Sequence, residues 1–280
     1  MENQSISIIE ALVLGVVQGL TEFLPISSTA HLRVVPALLH WPDPGVAYSA
    51  VIQLGSLIAV LVYFRKDIIE IAMGALAGLK KKDLGDRNVR LAGAIILGTM
   101  PVCVVGLALK KLLEMDGGPL RSLYVIGGAA IFMGLALLVA EKVSKHTRTI
   151  DNMGVKDGLL VGLGQAMALI PGCSRSGSTL TVALLIGMAR ADAARFSFLL
   201  GIPAVFLSGM LELKHMLEAG LSSEGLGVLV GGLVSSTVVS YLAIAWLISY
   251  LQKHSTAVFV IYRIIFGVAI IGLCAAGLIK

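Results

Sequence analysis

Glu22 stands inside an otherwise apolar stretch, four residues after Gln18 and six before Ser28. On a helix, side chains four apart share a face, so Gln18 and Glu22 turn their polar ends the same way. Pro25 stops that helix, and Ser27, Ser28, Thr29 and His31 follow at once. A carboxylate at membrane depth is expensive and reads by default as functional. A lone histidine would be a weak signal, but His31 beside an acid and three hydroxyls is a candidate nucleophile or general acid/base. Within the cluster Ser27, Ser28 and His31, Ser28 and His31 lead. A serine hydroxyl is a weak nucleophile that needs a neighbouring base, which Glu22 or His31 can supply. Spacing leaves three routes open: attack by serine, attack by His31, or attack by water assisted by His31.

A second cluster runs Pro171-Gly-Cys-Ser174-Arg175-Ser176-Gly-Ser178-Thr179. Gly172 and Gly177 allow tight backbone and close approach of a ligand. Ser and Thr here predict the capped start of a helix over Thr179–Met188, an N-terminus that favours anions. Arg175 carries a planar donor fork matched to phosphate oxygens. An acid and hydroxyls on one side with an Arg-Ser cluster on the other suit a diphosphate. A competing arrangement pairs Arg175 with Glu22, since a buried arginine needs a partner; in an empty site the two readings are compatible. Arg33 reads as an interface residue whose charge snorkels to water. Phosphate loops of the GxxxxGK[ST] type, HExxH and GxSxG are absent from the sequence, as is any zinc-ligand spacing.

The elements that must carry these clusters are membrane helices. The 280 residues are 57% hydrophobic and 14% charged, with a mean hydropathy of +0.92. A soluble domain carries roughly a quarter charged residues. Six apolar runs, read as lacking interior charge, predict spans at Val46–Phe64, Leu91–Leu109, Leu123–Ala140, Phe196–Leu213, Gly225–Leu251 and Ala257–Ile279. The 32 glycines fit closely packed helices. Ile6–His40 and Gly158–Ala189 begin apolar and then break at the two polar clusters. Each is too polar to cross lipid as one plain helix, so each predicts a broken or re-entrant helix pair beside a wet, protein-walled cavity.

The two broken stretches resemble each other. Gln18 aligns with Gln165 and, after one gap, Pro25 with Pro171. The expected architecture is therefore all-α: a polytopic helical bundle forming one membrane domain over residues 1–280. It comprises two inverted-topology repeats, about 1–148 and 149–280, each with a broken helix pair. Basic residues crowd the segments Arg65–Arg90 and Lys142–Lys156, both read as loops on one side, which the positive-inside rule makes cytoplasmic. The connection Lys110–Arg121 then falls on the periplasmic side. The net charge of +5 reflects these loops rather than a nucleic-acid surface, because no basic arm with interleaved aromatics exists. Met1–Glu10 carries neither a basic run nor a small-residue cleavage site and is not read as a removable signal. Three cysteines exclude a disulfide framework; Cys103 and Cys274 read as packing residues, while Cys173 lies within the second cluster.

Gln18-Gly-Leu-Thr-Glu22-Phe-Leu-Pro25-Ile-Ser27-Ser28-Thr29-Ala-His31 resembles the first signature of the undecaprenyl-diphosphate phosphatases, the bacitracin-resistance proteins. Pro171-Gly-Cys-Ser174-Arg175-Ser176-Gly-Ser-Thr179 is similar to their second signature, and Val51-Ile-Gln-Leu-Gly-Ser and Phe196-Ser-Phe-Leu-Leu extend the likeness. The resemblance implies a bacterial enzyme of the cytoplasmic (inner) membrane, with its active site open to the periplasm. Its reaction would convert undecaprenyl diphosphate to the monophosphate carrier of cell-wall synthesis and confer bacitracin resistance. It implies Glu22, Ser28, His31 and Arg175 as catalytic residues, and Gln18, Ser27, Thr29, Ser174, Arg175, Ser176 and Thr179 as substrate-binding residues. It also implies a divalent cation, Mg2+ or Ca2+, held by Glu22 and Gln18. Ala30 in place of the usual glycine constrains the turn before His31, and Gln18 in place of glutamate removes one ligand charge. The expected partners are the lipid diphosphate and membrane lipids, with no nucleic acid and with a homodimer left open. The rival from another class is a polyprenyl-phosphate flippase using the same cleft, because inverted repeats and broken helices are also transporter devices.

Overall fold

The computed structural model of the protein describes residues 6–113, 118, 120, 122–220 and 223–279. The regular elements among them are helices: α1 Ile8–Phe23, α2 Ser28–Leu39, α3 Gly45–Tyr63, α4 Arg65–Lys80, α5 Arg87–Ala108, α6 Lys110–Leu113, α7 Leu123–Val143, α8 Val155–Ala166, α9 Arg175–Leu185, α10 Arg190–Glu218, α11 Ser223–Leu251 and α12 Ala257–Ala275. Six of these (α3, α5, α7, α10, α11 and α12) are long and apolar enough to cross a membrane. They coincide with the six predicted runs. The protein is thus built as a multi-pass helical membrane protein. Outward-facing apolar side chains such as Ile96, Val104, Ile261, Ile265 and Val268 are more than half exposed, which suits a surface facing hydrocarbon.

The structure corrects the sequence reading at three places and adds a partner at a fourth. Arg65–Arg90 is not a bare loop: α4 occupies Arg65–Lys80. The span over α12 does carry an interior charge, Arg263. The helix of the second cluster is Arg175–Leu185 rather than Thr179–Met188, because Ser174 caps it four residues earlier. Arg33 does not reach for water alone; its Nη1 lies 2.9 Å from Asp43 Oδ2. Within the Lys110–Arg121 connection, residues 114–117, 119 and 121 lie outside the described residues.

The basic segments meet at one end of the bundle. Arg87 Nε donates to Asp151 Oδ1 at 2.5 Å, and Arg90 Nη2 donates to the Asp151 carbonyl at 3.2 Å. Arg190 at the start of α10 pairs with Glu141 at the end of α7. Arg195, one turn further, pairs with Asp67 in α4. These contacts place the end of α3, the start of α5, the end of α7 and the start of α10 together.

This geometry fixes the two broken elements. α8 starts beside the basic end, and α9 returns to it, since Arg148 Nη1 donates to the Ile186 carbonyl at 3.1 Å and Thr147 N–H to that of Gly187 at 3.0 Å. α8 and α9 are therefore a re-entrant hairpin whose tip lies at 170–174. The other hairpin, α1–α2, enters from the far end. α3 finishes at the basic end, so it starts at the other, and α2 leads into that start. Near the start of α11, Ile8 at the beginning of α1 lies against Gly231, and Tyr48 of α3 against Gly232.

Each hairpin packs on a helix of the other half. α1 runs along α11, and α8 runs along α5. Both crossings need the smallest residue. A Cβ at Gly15 would stand 2.5 Å from the Gly232 carbonyl oxygen, and one at Gly162 would stand 1.9 Å from that of Gly98. Close backbone approach of this kind is how helices associate where lipid offers little hydrophobic drive.

Candidate functional site

The two hairpin tips meet in the interior, and both use the same strained turn. Ser27 and Ser174, 147 residues apart like Gln18 and Gln165, have φ of 77° and 69°. Non-glycine residues seldom adopt such angles, and the cost is borne where surrounding contacts fix the turn. Each serine caps its helix: Ser27 Oγ accepts from Ala30 N–H at 3.4 Å and Ser174 Oγ from Gly177 N–H at 3.1 Å. Each also pairs with the hydroxyl two residues on, Thr29 at 3.1 Å and Ser176 at 3.2 Å. The tips are tied directly, since Ser176 Oγ donates to the Leu24 carbonyl at 3.0 Å.

At this junction lies a connected polar chain. Glu22 Oε2 accepts from Ser28 Oγ at 2.7 Å and from Gln18 Nε2 at 2.8 Å. Glu22 Oε1 faces Arg175 Nη2 at 3.0 Å. Gln18 Nε2 also reaches Ser56 Oγ at 3.3 Å, and Ser56 accepts from Ser240 Oγ at 2.8 Å. Gln18, Glu22 and Ser28 are buried. A buried carboxylate with three donors has its charge well compensated. The structure shows the pairing of Arg175 with Glu22, which the sequence leaves compatible with phosphate binding.

Arg175 also lines a cavity of about 620 Å³ between α2, α3, α5 and α10. The cavity wall includes Thr29, Gln165 and Arg175, together with apolar side chains such as Val102, Leu107 and Leu207. Such a space holds far more than a phosphate. It offers charged and polar groups at the tips and hydrocarbon along the transmembrane helices, as an amphiphile requires.

The predicted site residues other than His31 fall into three groups, with Arg175 in two of them. Gln18, Glu22, Ser28 and Arg175 come together. Thr29 and Arg175 face the cavity. Ser27, Ser174, Ser176 and Thr179 hold the backbone: Thr179 Oγ1 donates to the Arg175 carbonyl at 2.8 Å and pairs with Ser197 Oγ at 2.5 Å. His31 is turned elsewhere. Its Nδ1 is 2.7 Å from the Ser27 carbonyl oxygen and its Nε2 2.6 Å from Tyr262 Oη. Its ring stacks on Phe266 at a centroid distance of 4.3 Å. A carbonyl partner makes Nδ1 the protonated nitrogen, leaving Nε2 to accept from the tyrosine.

The chain matches the family described as bacitracin resistance protein BacA over residues 11–269. It belongs to that family. Among its relatives, the undecaprenyl-diphosphatase of Gloeobacter violaceus is 61% identical over 277 residues, 99% of this chain and 95% of that protein. Its counterpart in Trichormus variabilis is 52% identical over 278 residues, 99% of this chain and 87% of that protein. That of Myxococcus xanthus is 53% identical over 272 residues, 97% of this chain and 90% of that protein.

In this member of the bacitracin-resistance family, sequence reasoning passed over two residues that shape the site. Arg263 of α12 is 1% exposed. Its Nη1 donates to the Pro25 carbonyl at 2.8 Å, its Nη2 to those of Gly172 and Cys173 at 2.8 and 3.1 Å, and its Nε to that of Ala130 at 3.2 Å. One guanidinium thus fastens both hairpin tips to α7. The available signal was its rarity: a charge within an apolar span needs a purpose.

The second is Gly201 of α10. A Cβ there would lie 1.7 Å from Arg175 Nη1. The obstructed atoms are the free end of a flexible side chain, so the fold can absorb Gly201→Ala by moving the guanidinium. If Arg175 acts on the substrate, displacing it by about 1 Å costs on the order of 10²-fold. We therefore expect Gly201→Ala to lower phosphate release from the lipid diphosphate by about 10- to 100-fold, with the melting temperature in detergent unchanged. Normal turnover would show that Arg175 needs no fixed position.

Proposed function

We propose that this chain hydrolyses undecaprenyl diphosphate to undecaprenyl phosphate and inorganic phosphate, at the junction of the two hairpin tips. The observation that carries the reading is the chain Ser28–Glu22–Arg175 at the edge of an amphiphile-sized cavity. Ser28 Oγ already donates to a Glu22 oxygen at 2.7 Å, the arrangement of a nucleophile with its base. Arg175 is shared: its fork holds Glu22 on one side and borders the cavity on the other.

The entering diphosphate competes with Glu22 for that fork. Arg175 then neutralises charge on the transferring phosphoryl group, where phosphoryl transfer needs it most. Ser28 Oγ bonds to the terminal phosphorus while its proton passes to Glu22, and the anhydride P–O bond breaks to release undecaprenyl phosphate. Water next attacks the phosphoserine, giving inorganic phosphate and restoring Ser28. His31, with both ring nitrogens bonded away from Glu22, is assigned to holding the first tip rather than to attack.

Glu22 and the Gln18 carbonyl oxygen, which has no partner among the described residues, fit a hard divalent cation, Mg2+ or Ca2+. No group of three His, Cys, Asp or Glu converges among those residues, so the set suits a cation that shares its coordination with substrate phosphates. When bound, such a cation supplies further charge neutralisation.

The basic end is read as cytoplasmic by the positive-inside rule. The two hairpins, entering from opposite ends, are read as inverted-topology repeats of one membrane domain. The site is then reached from the periplasmic side of the bacterial inner membrane, where hydrolysis recycles the lipid carrier of cell-wall synthesis and counters bacitracin. A flippase alone needs no nucleophile paired to a base. The test uses detergent-solubilised protein, in which transport is impossible. Phosphate should be released, and labelled substrate should leave an acid-stable label that Ser28→Ala lacks. An acid-labile label would move the attack to His31, and absence of phosphate release would sink the reading.

A further inference from the structure

Gln165 is the second half's copy of Gln18, and the two glutamines have opposite fates. Gln18 Nε2 donates to Glu22 and Ser56. Gln165 has Leu169 at the position, four residues on, that Glu22 holds in the first half. Its side chain is 1% exposed, and neither its Nε2 nor its Oε1 has a hydrogen-bond partner among the described residues. It borders the same cavity as Arg175 and Thr29.

An amide buried without a partner is costly to the free protein, more so than an apolar side chain of the same shape. An amide that pairs only when a ligand arrives converts that cost into affinity. We infer that Gln165 is a further substrate-binding residue, whose Nε2 donates to a phosphoryl oxygen of the bound lipid diphosphate beside Arg175. Its Oε1 accepts from water that enters with the head group. The pseudo-symmetry gives the pair complementary tasks: Gln18 orients the base within the protein, and Gln165 orients the substrate. The inference rests on the diphosphatase reading and extends it.

The two explanations of a buried glutamine, ligand binding and structural support, predict opposite stability changes. Gln165→Met preserves length and removes both polar atoms. As a substrate ligand, Gln165 loses a hydrogen bond to a charged group, so KM for undecaprenyl diphosphate rises about 10- to 100-fold. In the same variant kcat stays within a few-fold, and the melting temperature of the substrate-free protein in detergent stays level or rises. Gln165→Asn, which keeps the amide but withdraws it by one methylene, should give an intermediate KM. An unchanged KM in Gln165→Met overturns the inference. A lowered melting temperature, or failure to fold, also overturns it by assigning the amide to structure. Absence of turnover in the wild-type protein would instead defeat the diphosphatase reading itself, so the two failures are separable.

Discussion

Arg175→Lys is expected to lower turnover of undecaprenyl diphosphate by about 10²–10³, the cost of losing a preorganised donor to transition-state charge. The substitution keeps the positive charge, so the loss isolates geometry. Arg175 sends Nη2 to Glu22 at 3.0 Å and Nη1 to the Ser197 carbonyl at 3.4 Å, in different directions from one planar group. A lysine ammonium is a compact point charge without that fork. It can keep the contact with Glu22 or turn to the phosphate, and it cannot span both. Lysine still places a positive charge beside the buried Glu22 carboxylate, so no charge is left unpaired and the melting temperature should stay nearly unchanged. Steady-state phosphate release and thermal unfolding in detergent check the two halves of the expectation. Near-normal turnover would remove Arg175 as a phosphate clamp and leave it a partner for Glu22 alone.

The partnership of Glu22, Ser28 and Arg175 was legible because polar groups in an apolar run must find one another. The six spans were legible for the same reason, since their composition is tied to lipid. Hydropathy marks the apolar middle of a helix rather than its ends. Thus α5 and α10 extend to Arg87 and Arg190, where charged side chains are paired or wet. The serines were harder. A hydroxyl beside an arginine reads equally as a phosphate ligand and as a helix cap, and residue type alone does not reveal the cap. At Ser27 and Ser174 the left-handed turn leaves the following N–H groups needing an acceptor. The hydroxyls supply it. His31 is near Glu22 and Ser28 in sequence, but its ring nitrogens bond to neither. Ser28 at the start of α2 reaches α1, while His31, three residues later, lies against α12. The rotation of a short helix about its axis is set by its neighbours and is not encoded in residue types. The likeness of the two broken stretches was visible in the matched glutamines, but not the exchange by which each hairpin packs on a helix of the other half.

Arg263→Met is expected to lose on the order of 3–5 kcal/mol of stability, because several buried carbonyl oxygens lose their donor at about 1–3 kcal/mol each. The carbonyls of Pro25, Gly172 and Cys173 lie at the two tips, where neither hairpin has a helix to complete its own hydrogen bonds. Arg263 supplies what the broken helices lack. A methionine fills similar volume but donates nothing, and Arg263→Lys brings one ammonium to carbonyls that a five-donor fork reaches from several sides. Both variants should therefore melt at lower temperature in detergent, the methionine more severely. Activity should fall with them, since Glu22 and Arg175 sit on opposite tips and their 3.0 Å contact depends on how the tips are held. The contrast with Arg175→Lys is the decisive measurement. One arginine should govern turnover at constant stability, and the other should govern both together. If Arg263→Met melts like the wild type, the two tips are held by Ser176 and the helix packing, and the buried guanidinium has some other purpose.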